Sequence, residues 1–350
     1  MSPNRLAVGL LTIGLGAAGA CAATDQAERT VAVDTLVVTD TVITTASARI
    51  GAVGDLAVRS DGRLYLSDLR LQRVLAIGPD GTEAGSFGRE GSGPGEFLAP
   101  MALAIAGDTV WVYDRRNARV QVFDADGRFR RGYPVSVGFT AGGITLNDRG
   151  DLAAATGGRD SALVAIFDAD GTRAATFGTP IVPPATGFDF TSIKERSRRG
   201  VVPDEFRNDA LPVWGDDGSL WLAFYAEPRL HRYAADGRLL WTRHLDDPVL
   251  DAVRAEFVRK NQEEKNPAVF HPLRYVADGT EVHGDLWLAL DVGDSPDGVI
   301  LVFDRTDGDI ERRIVLPGLP GIDALAIDTT RHRLYLAINE AAMVVATTLD

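Results

Sequence analysis

The chain has 350 residues, a net charge of −13 and 45% hydrophobic residues, so it can bury a sizeable core. A protein this acidic lacks the positive surface that nucleic acids require, and we exclude a nucleic-acid partner. Its single cysteine, Cys21, excludes an internal disulfide.

The N-terminal segment has the composition of an export signal. Arg5 precedes an apolar stretch from Leu6 to Ala20, which is shorter than the roughly 20 residues that span a bilayer. The stretch ends in Ala18-Gly19-Ala20 before Cys21. This ending resembles the bacterial lipobox, in which the cysteine is lipidated and becomes the new N-terminus.

We therefore predict a signal peptide over residues 1–20, lipid attachment at Cys21 and a tether over residues 21–30. The resemblance implies a protein of the bacterial cell envelope that is held at a membrane by its N-terminal lipid. The alternative is cleavage by the ordinary signal peptidase, which would give a secreted or periplasmic protein.

After the tether, one short phrase recurs along the chain. Phe123-Asp124-Ala125-Asp126-Gly127 is repeated letter for letter at 167–171, and looser copies lie at 77–81, 233–237 and 303–308. Each copy separates two apolar runs, a pattern typical of two strands joined by an Asp-Gly turn. The turn glycines are 46, 44, 66 and 71 residues apart. The shorter spacings match a four-stranded propeller blade of about 45 residues, and the longer two imply one insertion each.

The first and last units indicate how the ring closes. The first unit reads as four strands, at Asp55–Val58, Leu64–Ser67, Arg73–Ile77 and Glu83–Phe87. The last unit supplies only three strands, at Ala324–Ile327, Leu334–Ile338 and Met343–Thr347. The β-branched run from Val31 to Thr45 can provide the missing strand and remove the exposed edges. We predict an all-β protein, a six-bladed β-propeller of four-stranded blades over residues 31–350, closed by its N-terminal strand.

Two motifs resemble a known repeat family. Asp114-Arg115-Arg116-Asn117-Ala118-Arg119 precedes an apolar strand, and a Gly-x-Gly-Pro-Gly-Glu-Phe linker ends at Phe97. Both are similar to motifs of the NHL repeat, and the chain resembles bacterial NHL-like six-bladed propeller lipoproteins. The resemblance implies the fold and a binding platform. We expect Asp114 to pair with Arg119 and Phe97 to pack between blades.

Some proteins with this fold are metal enzymes, including lactonases, strictosidine-synthase-like proteins and peptidyl-hydroxyglycine lyases. Zinc would require His or Cys ligands at the central channel, but none of the five histidines lies on a predicted inner strand. Calcium would require a ring of oxygens, for which Asp55 and Asp323 are weak candidates at the starts of inner strands. We predict no catalytic residues and no cofactor, and calcium remains the alternative.

The two insertions are the best sequence indication of a functional surface. They span about 179–210 and about 246–272, each between an outer strand and the next inner strand. In a four-stranded meander this connection emerges on the same face as the loop between the second and third strands. Loops on a rigid scaffold commonly carry binding sites.

The second insertion has the pattern of one short helix. Asp247 can cap it and Pro248 suits its first position, and an apolar stripe follows. The stripe consists of Val249, Leu250, Val253 and Phe257. The alternative role is a helix that only covers the propeller.

The first insertion carries a local positive cluster in an acidic protein. Its candidate ligand-binding residues, with those expected beside them, are Arg196, Arg198, Arg199, Arg207, Tyr225, Arg229 and His271. Such a cluster could hold an anionic ligand, such as a sugar acid or the carboxylates of a partner. Equally, it could be a solvated loop.

From these observations we predict a monomeric binding or interaction module of the cell envelope rather than an enzyme. Its partner would be an envelope protein, a peptide or a carbohydrate. The alternative is a calcium-dependent lactonase-like hydrolase or a lyase on the same scaffold.

Overall fold

A computed structural model describes residues 31–44, 50–135, 143–185 and 187–349. The proposed signal peptide, the tether and Cys21 lie outside the described residues. No helix in the described part of the chain is both long and apolar enough to cross a membrane.

The described chain is built mainly from strands. Two strands precede the first blade, β1 (Ala32–Thr35) and β2 (Asp40–Thr44). Blades 1 and 2 comprise β3 (Val53–Val58), β4 (Leu64–Asp68), β5 (Arg73–Ile77), β6 (Glu83–Phe87), β7 (Pro100–Ala106), β8 (Thr109–Asp114), β9 (Arg119–Asp124) and β10 (Phe129–Pro134). Blades 3 and 4 comprise β11 (Ile144–Leu146), β12 (Leu152–Ala155), β13 (Val164–Phe167), β14 (Arg173–Phe177), β15 (Ala210–Trp214), β16 (Leu220–Phe224), β17 (Arg229–Tyr233) and β18 (Leu239–His244). Blades 5 and 6 comprise β19 (Val276–Val282), β20 (Asp285–Leu290), β21 (Gly298–Phe303), β22 (Ile310–Leu316), β23 (Ala324–Asp328), β24 (Arg333–Ile338) and β25 (Met343–Thr348).

These strands form six sheets, one for each blade of a β-propeller. In every blade the consecutive strands pair antiparallel, which confirms the predicted six-bladed architecture. The sixth blade has the order β2-β25-β24-β23, so a strand from the start of the chain completes it. The ring therefore closes by pairing the two ends of the propeller.

The N-terminal run differs from the single strand that we expected over Val31 to Thr45. It forms two strands, because the segment between β1 and β2 crosses from blade 5 to blade 6. Only β2 completes a blade, and β1 adds a parallel fifth strand beside β22. The crossing is anchored at both ends, since Leu36 N donates to Val315 O and Thr39 N to Ala346 O.

Both insertions contain helices, whereas we expected only the second to do so. The helices are α1 (Phe190–Arg198), α2 (Asp204–Arg207) and α3 (Pro248–Glu263). The α3 prediction is confirmed, with Asp247 Oδ1 accepting from Val249 N at 2.9 Å. Asp189 caps α1 in a similar way by accepting from Ser192 N.

The core consists of apolar side chains between adjacent blades. Phe97 is fully buried and its ring lies 5.6 Å from that of Phe123, which confirms its predicted position between blades. The expected pair also forms, with Arg119 Nε 3.5 Å from Asp114 Oδ2. Because large apolar faces are buried between blades, the ring is a rigid frame for its axis and its loops.

Candidate functional site: the central cavity

A cavity of about 710 Å³ lies on the axis of the propeller. All six inner strands line it. One lining residue from each is Leu56, Leu103, Leu146, Val213, Gly279 and Leu325. The volume is within the range of sites that hold small molecules, about 300–1,000 Å³.

The strand register shows which elements meet at one end of this cavity. Val53, at the start of an inner strand, pairs with Asp68 at the end of the next strand, and Ala210 pairs likewise with Phe224. The loop after the second strand therefore lies beside the segment that enters the inner strand. Both insertions enter inner strands, so they lie at this end, which we call the insertion face.

Aromatic side chains from the two insertions form part of the cavity wall. Phe206 and Phe270 stack with their ring centroids 5.1 Å apart, and Phe190 meets Phe270 edge-on at 5.6 Å. Phe206 and Phe270 both line the cavity, together with Pro272. The insertions thus contribute an apolar rim to the cavity, in addition to covering the blades.

Two carboxyl groups of inner strands also line the cavity. Asp55 Oδ2 accepts from Leu103 N at 2.7 Å in the neighbouring blade, and Asp278 Oδ2 accepts from Leu325 N at 2.8 Å. Burial and the nearby charge of Asp278 raise the pKa of Asp55 well above its usual range. Burial also raises the pKa of Asp278 to about 6.

A third carboxyl, that of Asp209, forms no hydrogen bond or ion pair with the described residues. It follows α2, is 5% exposed and lines the cavity. Among the described residues, no donor or cation lies within bonding distance of its side chain. Burial raises the pKa of Asp209 to about 7, and the positive charge of Arg159 opposes this rise only in part. Because it lines the cavity, this carboxyl is open to a partner that enters there.

The cavity also has two cationic side chains. The Arg274 guanidinium lies 4.4 Å from the centre of the Tyr225 ring, and Arg115 lies near Met101, with Nη1 3.7 Å from the sulfur. Both arginines line the cavity and both are exposed. They lie in or beside the loops of the insertion face, so the positive charge is at the mouth of the cavity.

The two calcium candidates both line the cavity. Asp55 uses its oxygens to accept from backbone N–H groups, and Asp323 Oδ2 accepts from Asn339 N at 2.7 Å. Among the described residues, they belong to no group of three closely spaced acidic, histidine or cysteine side chains. A calcium role for them therefore stays a prediction.

The one such group among the described residues lies outside this cavity. It consists of Asp216, Asp217 and Glu281. Cations and donors of the protein already occupy it, since Arg305 contacts Asp216 at 3.3 Å and Arg232 contacts Asp217 at 3.2 Å. This cluster therefore has the contacts of a structural ion network.

The predicted arginine cluster lies on the insertions, but its side chains bind within the protein. The contacts are Arg196 with Glu205, Arg198 with the carbonyl oxygens of Asn261 and Glu264, Arg199 with Glu195, and Arg207 with Glu227 and Asp204. Several of these contacts join the two insertions or join them to a blade. Anion binding by these arginines stays a prediction, and it would have to compete with these contacts.

The other predicted site residues are separated from one another. Tyr225 lines the cavity, whereas Arg229 begins the third strand of blade 4. His271 lies in the second insertion, with Nε2 3.2 Å from Glu264 Oε2. No histidine lines the cavity among the residues described.

Several residues of the site were not predicted from the sequence, namely Asp209, Asp278, Phe206 and Phe270. Asp278 carried a signal that could have been used. It is equivalent to Asp55, because each lies two residues after a valine that starts an inner strand and accepts from a backbone N–H of the next blade. The insertion residues carried no such signal, because their approach to the axis depends on the tertiary fold.

Comparison with known proteins identifies no family. No family model matches the chain, and no curated protein matches it. Many solved structures do match. A structure of RRP9 WD40 repeats gives a TM-score of 0.51 at 11% identity, over 85% of this chain and 94% of that one.

Two further solved structures are similar to a comparable degree. A candidate exported protein from Bacteroides fragilis NCTC 9343 gives a TM-score of 0.51 at 12% identity, over 90% of this chain and 98% of that one. A catalytically inactive virginiamycin B lyase from Staphylococcus aureus, solved with quinupristin, gives a TM-score of 0.50 at 13% identity, over 87% of this chain and 97% of that one. At these identities the likeness establishes the β-propeller fold alone.

Proposed function

We propose that this protein is a lipid-anchored binding protein of the bacterial cell envelope and that its ligand occupies the central cavity. The observation that carries this proposal is the set of polar groups that converge in one cavity of about 710 Å³ on the insertion face. A cavity with apolar walls and a few placed polar groups is the usual form of a small-molecule site.

The cost of the buried carboxyls supports a binding role. Asp209 has no partner in the described part of the chain, and burial raises the pKa of Asp278. The scaffold gains nothing from Asp209, because a buried charge without a partner destabilises the folded state. Perturbed carboxyls in a cleft are typical of functional sites.

The insertions support the same location. They add Phe206 and Phe270 to the mouth of the cavity, and a ligand that enters there can contact both rings. The ligand would be a small molecule, or the end of a peptide or carbohydrate chain, because the cavity is too small for a folded partner.

Ligand entry can be tested with the neutral fluorescent probe N-phenyl-1-naphthylamine. Thr145 lies on the cavity wall in blade 3, and Thr145→Trp would fill part of the cavity. Thr176→Trp is the matched control, because Thr176 is exposed on the outer strand of the same blade. We expect the wild type and the Thr176 variant to bind the probe equally, and Thr145→Trp to lower the affinity at least fivefold. Equal binding by all three proteins would place the site elsewhere.

The membrane anchor can be tested separately. In a bacterial host, the native chain should sediment with membranes, and Cys21→Ser should move it to the soluble fraction. Residue Cys21 supplies the thiol that lipidation requires. Membrane association that survives this substitution would refute the anchor and leave the proposed cavity site unaffected.

A further inference from the structure

We infer that the cavity binds an organic cation, an amine or a guanidinium group carried on an aromatic or apolar body. This inference rests on the proposed function and names the class of ligand. It starts from Asp209, whose side chain is buried, lines the cavity and has no partner among the described residues. A cationic donor is the group that such a carboxyl lacks.

The charge balance of the cavity favours a cation. Among the described residues, four carboxyls and two guanidinium groups line it. The carboxyls are Asp55, Asp209, Asp278 and Asp323, and the guanidinium groups are those of Arg115 and Arg274. The arginines are exposed and Arg274 is stacked on Tyr225, so they leave Asp209 without an ion pair. A positive ligand would stabilise the ionised form of the buried Asp209 carboxyl.

The aromatic rim lies next to the unpartnered carboxyl. Asp209 N donates to Phe206 O, and the Phe206 ring stacks on that of Phe270. Aromatic faces attract cations and also bury apolar groups. An aromatic amine could therefore place its ring at the rim and its charge near Asp209.

The spacing of the carboxyls argues against a metal ion. Several carboxylates around one point would favour a divalent cation, and the cavity carboxyls form no group of three closely spaced ligands in the described part of the chain. An amine needs only one carboxylate at hydrogen-bond distance and tolerates others farther away. The arrangement thus fits an extended organic cation better than calcium.

The test compares two probes that differ in one charge, dansylcadaverine and its N-acetylated, neutral derivative. Titrations at pH 8 follow the dansyl fluorescence. We expect the wild type to bind the amine at least tenfold more tightly than the acetylated probe. The Asp209→Asn variant should lose this preference and keep its affinity for the acetylated probe. Asp236→Asn is the matched control, because Asp236 lies in an exposed hairpin turn, and it should behave as the wild type.

Several outcomes would overturn the inference. Equal affinity of the wild type for both probes, or an unchanged preference in folded Asp209→Asn, would show that the cavity does not select a cation. Stoichiometric calcium binding that displaces the amine would assign the carboxyls to a metal. If N-phenyl-1-naphthylamine enters the cavity but the amine has no advantage, this inference fails while the proposed function stands. If the neutral probe also fails to bind, both fail.

Discussion

Asp114 in blade 2 and Asp209 at the cavity are buried to nearly the same extent, with exposed fractions of 0% and 5%. Asp114 is surrounded by partners. They are the backbone N–H groups of Leu98 and Ala99, the amide of Asn117 and the guanidinium of Arg119. Asp209 has none among the described residues. An aspartate therefore anchors a loop in blade 2, whereas the aspartate at the cavity keeps its carboxyl group available to a ligand.

The largest expected effect is at the scaffold position. Asp114→Ala would leave two N–H groups, an amide and a guanidinium without their acceptor, and we expect it to lower the free energy of unfolding by about 3–5 kcal/mol. Urea unfolding followed by tryptophan fluorescence would measure this. Asp236→Ala in an exposed turn is the control, with an expected change below about 0.5 kcal/mol. A loss below about 1 kcal/mol at Asp114 would remove the contrast between the two regions.

At the cavity, the substitution Asp209→Asn should stabilise the protein at high pH. The pKa of Asp209 is raised to about 7 in the folded state, so the folded protein holds this proton more tightly than the unfolded chain does. The stability of the fold therefore falls as pH rises from about 4 to 7. Asparagine does not titrate. We therefore compare the free energy of unfolding of Asp209→Asn with that of the wild type. The advantage of the variant should be roughly 2 kcal/mol larger at pH 8 than at pH 5. Urea unfolding at both values tests this, and a difference that does not change with pH would contradict it.

A substitution in the aromatic rim should weaken ligand binding while it lowers the stability of the fold only slightly. Phe270 is half-buried, so Phe270→Ala should cost only about 1 kcal/mol of unfolding free energy. The same change should weaken N-phenyl-1-naphthylamine binding severalfold, because it removes half of the stacked pair. Unfolding and probe titration on the same sample give both values. A large loss of stability with unchanged binding would assign Phe270 to the scaffold.

The smallest effect is expected at the surface of the first insertion. Arg199 is exposed and pairs with Glu195 one turn earlier in α1. Such pairs contribute about 0.3–0.5 kcal/mol, so Arg199→Ala should shift stability by no more than that. If Arg199→Ala instead abolished probe binding, the ligand site would extend to the arginine cluster.

The strands and their order could be predicted because period-2 patterns and Asp-Gly turns are local. Arg73–Ile77 and Glu83–Phe87 were predicted to the residue, as was the start of α3 at Pro248. The spacing of the turn glycines also located both insertions. These features need no knowledge of distant contacts, since each follows from residues near one another in the chain.

The site could be predicted only in part, because it is assembled from distant segments. Asp55 and Asp323 were singled out for their position at inner strands, and both line the cavity. Phe206 and Phe270 meet only after two insertions fold over the same face. The arginines of the first insertion looked free in the sequence, but in the structure they have acceptors within the protein. These acceptors come from the same insertion, from the second insertion and from a neighbouring blade.

The closure of the ring sets the order of folding. Thr347 Oγ1 donates to Val37 O, a contact between residues 310 positions apart in the chain. Blades 1 to 4 can each pair their strands from local sequence, but the sixth blade must wait for its last strand to be synthesised. Contacts of such large separation make folding slow. Until β2 pairs with β25, each of these strands has an unpaired edge, so the newly made chain is most prone to aggregation just before the ring closes.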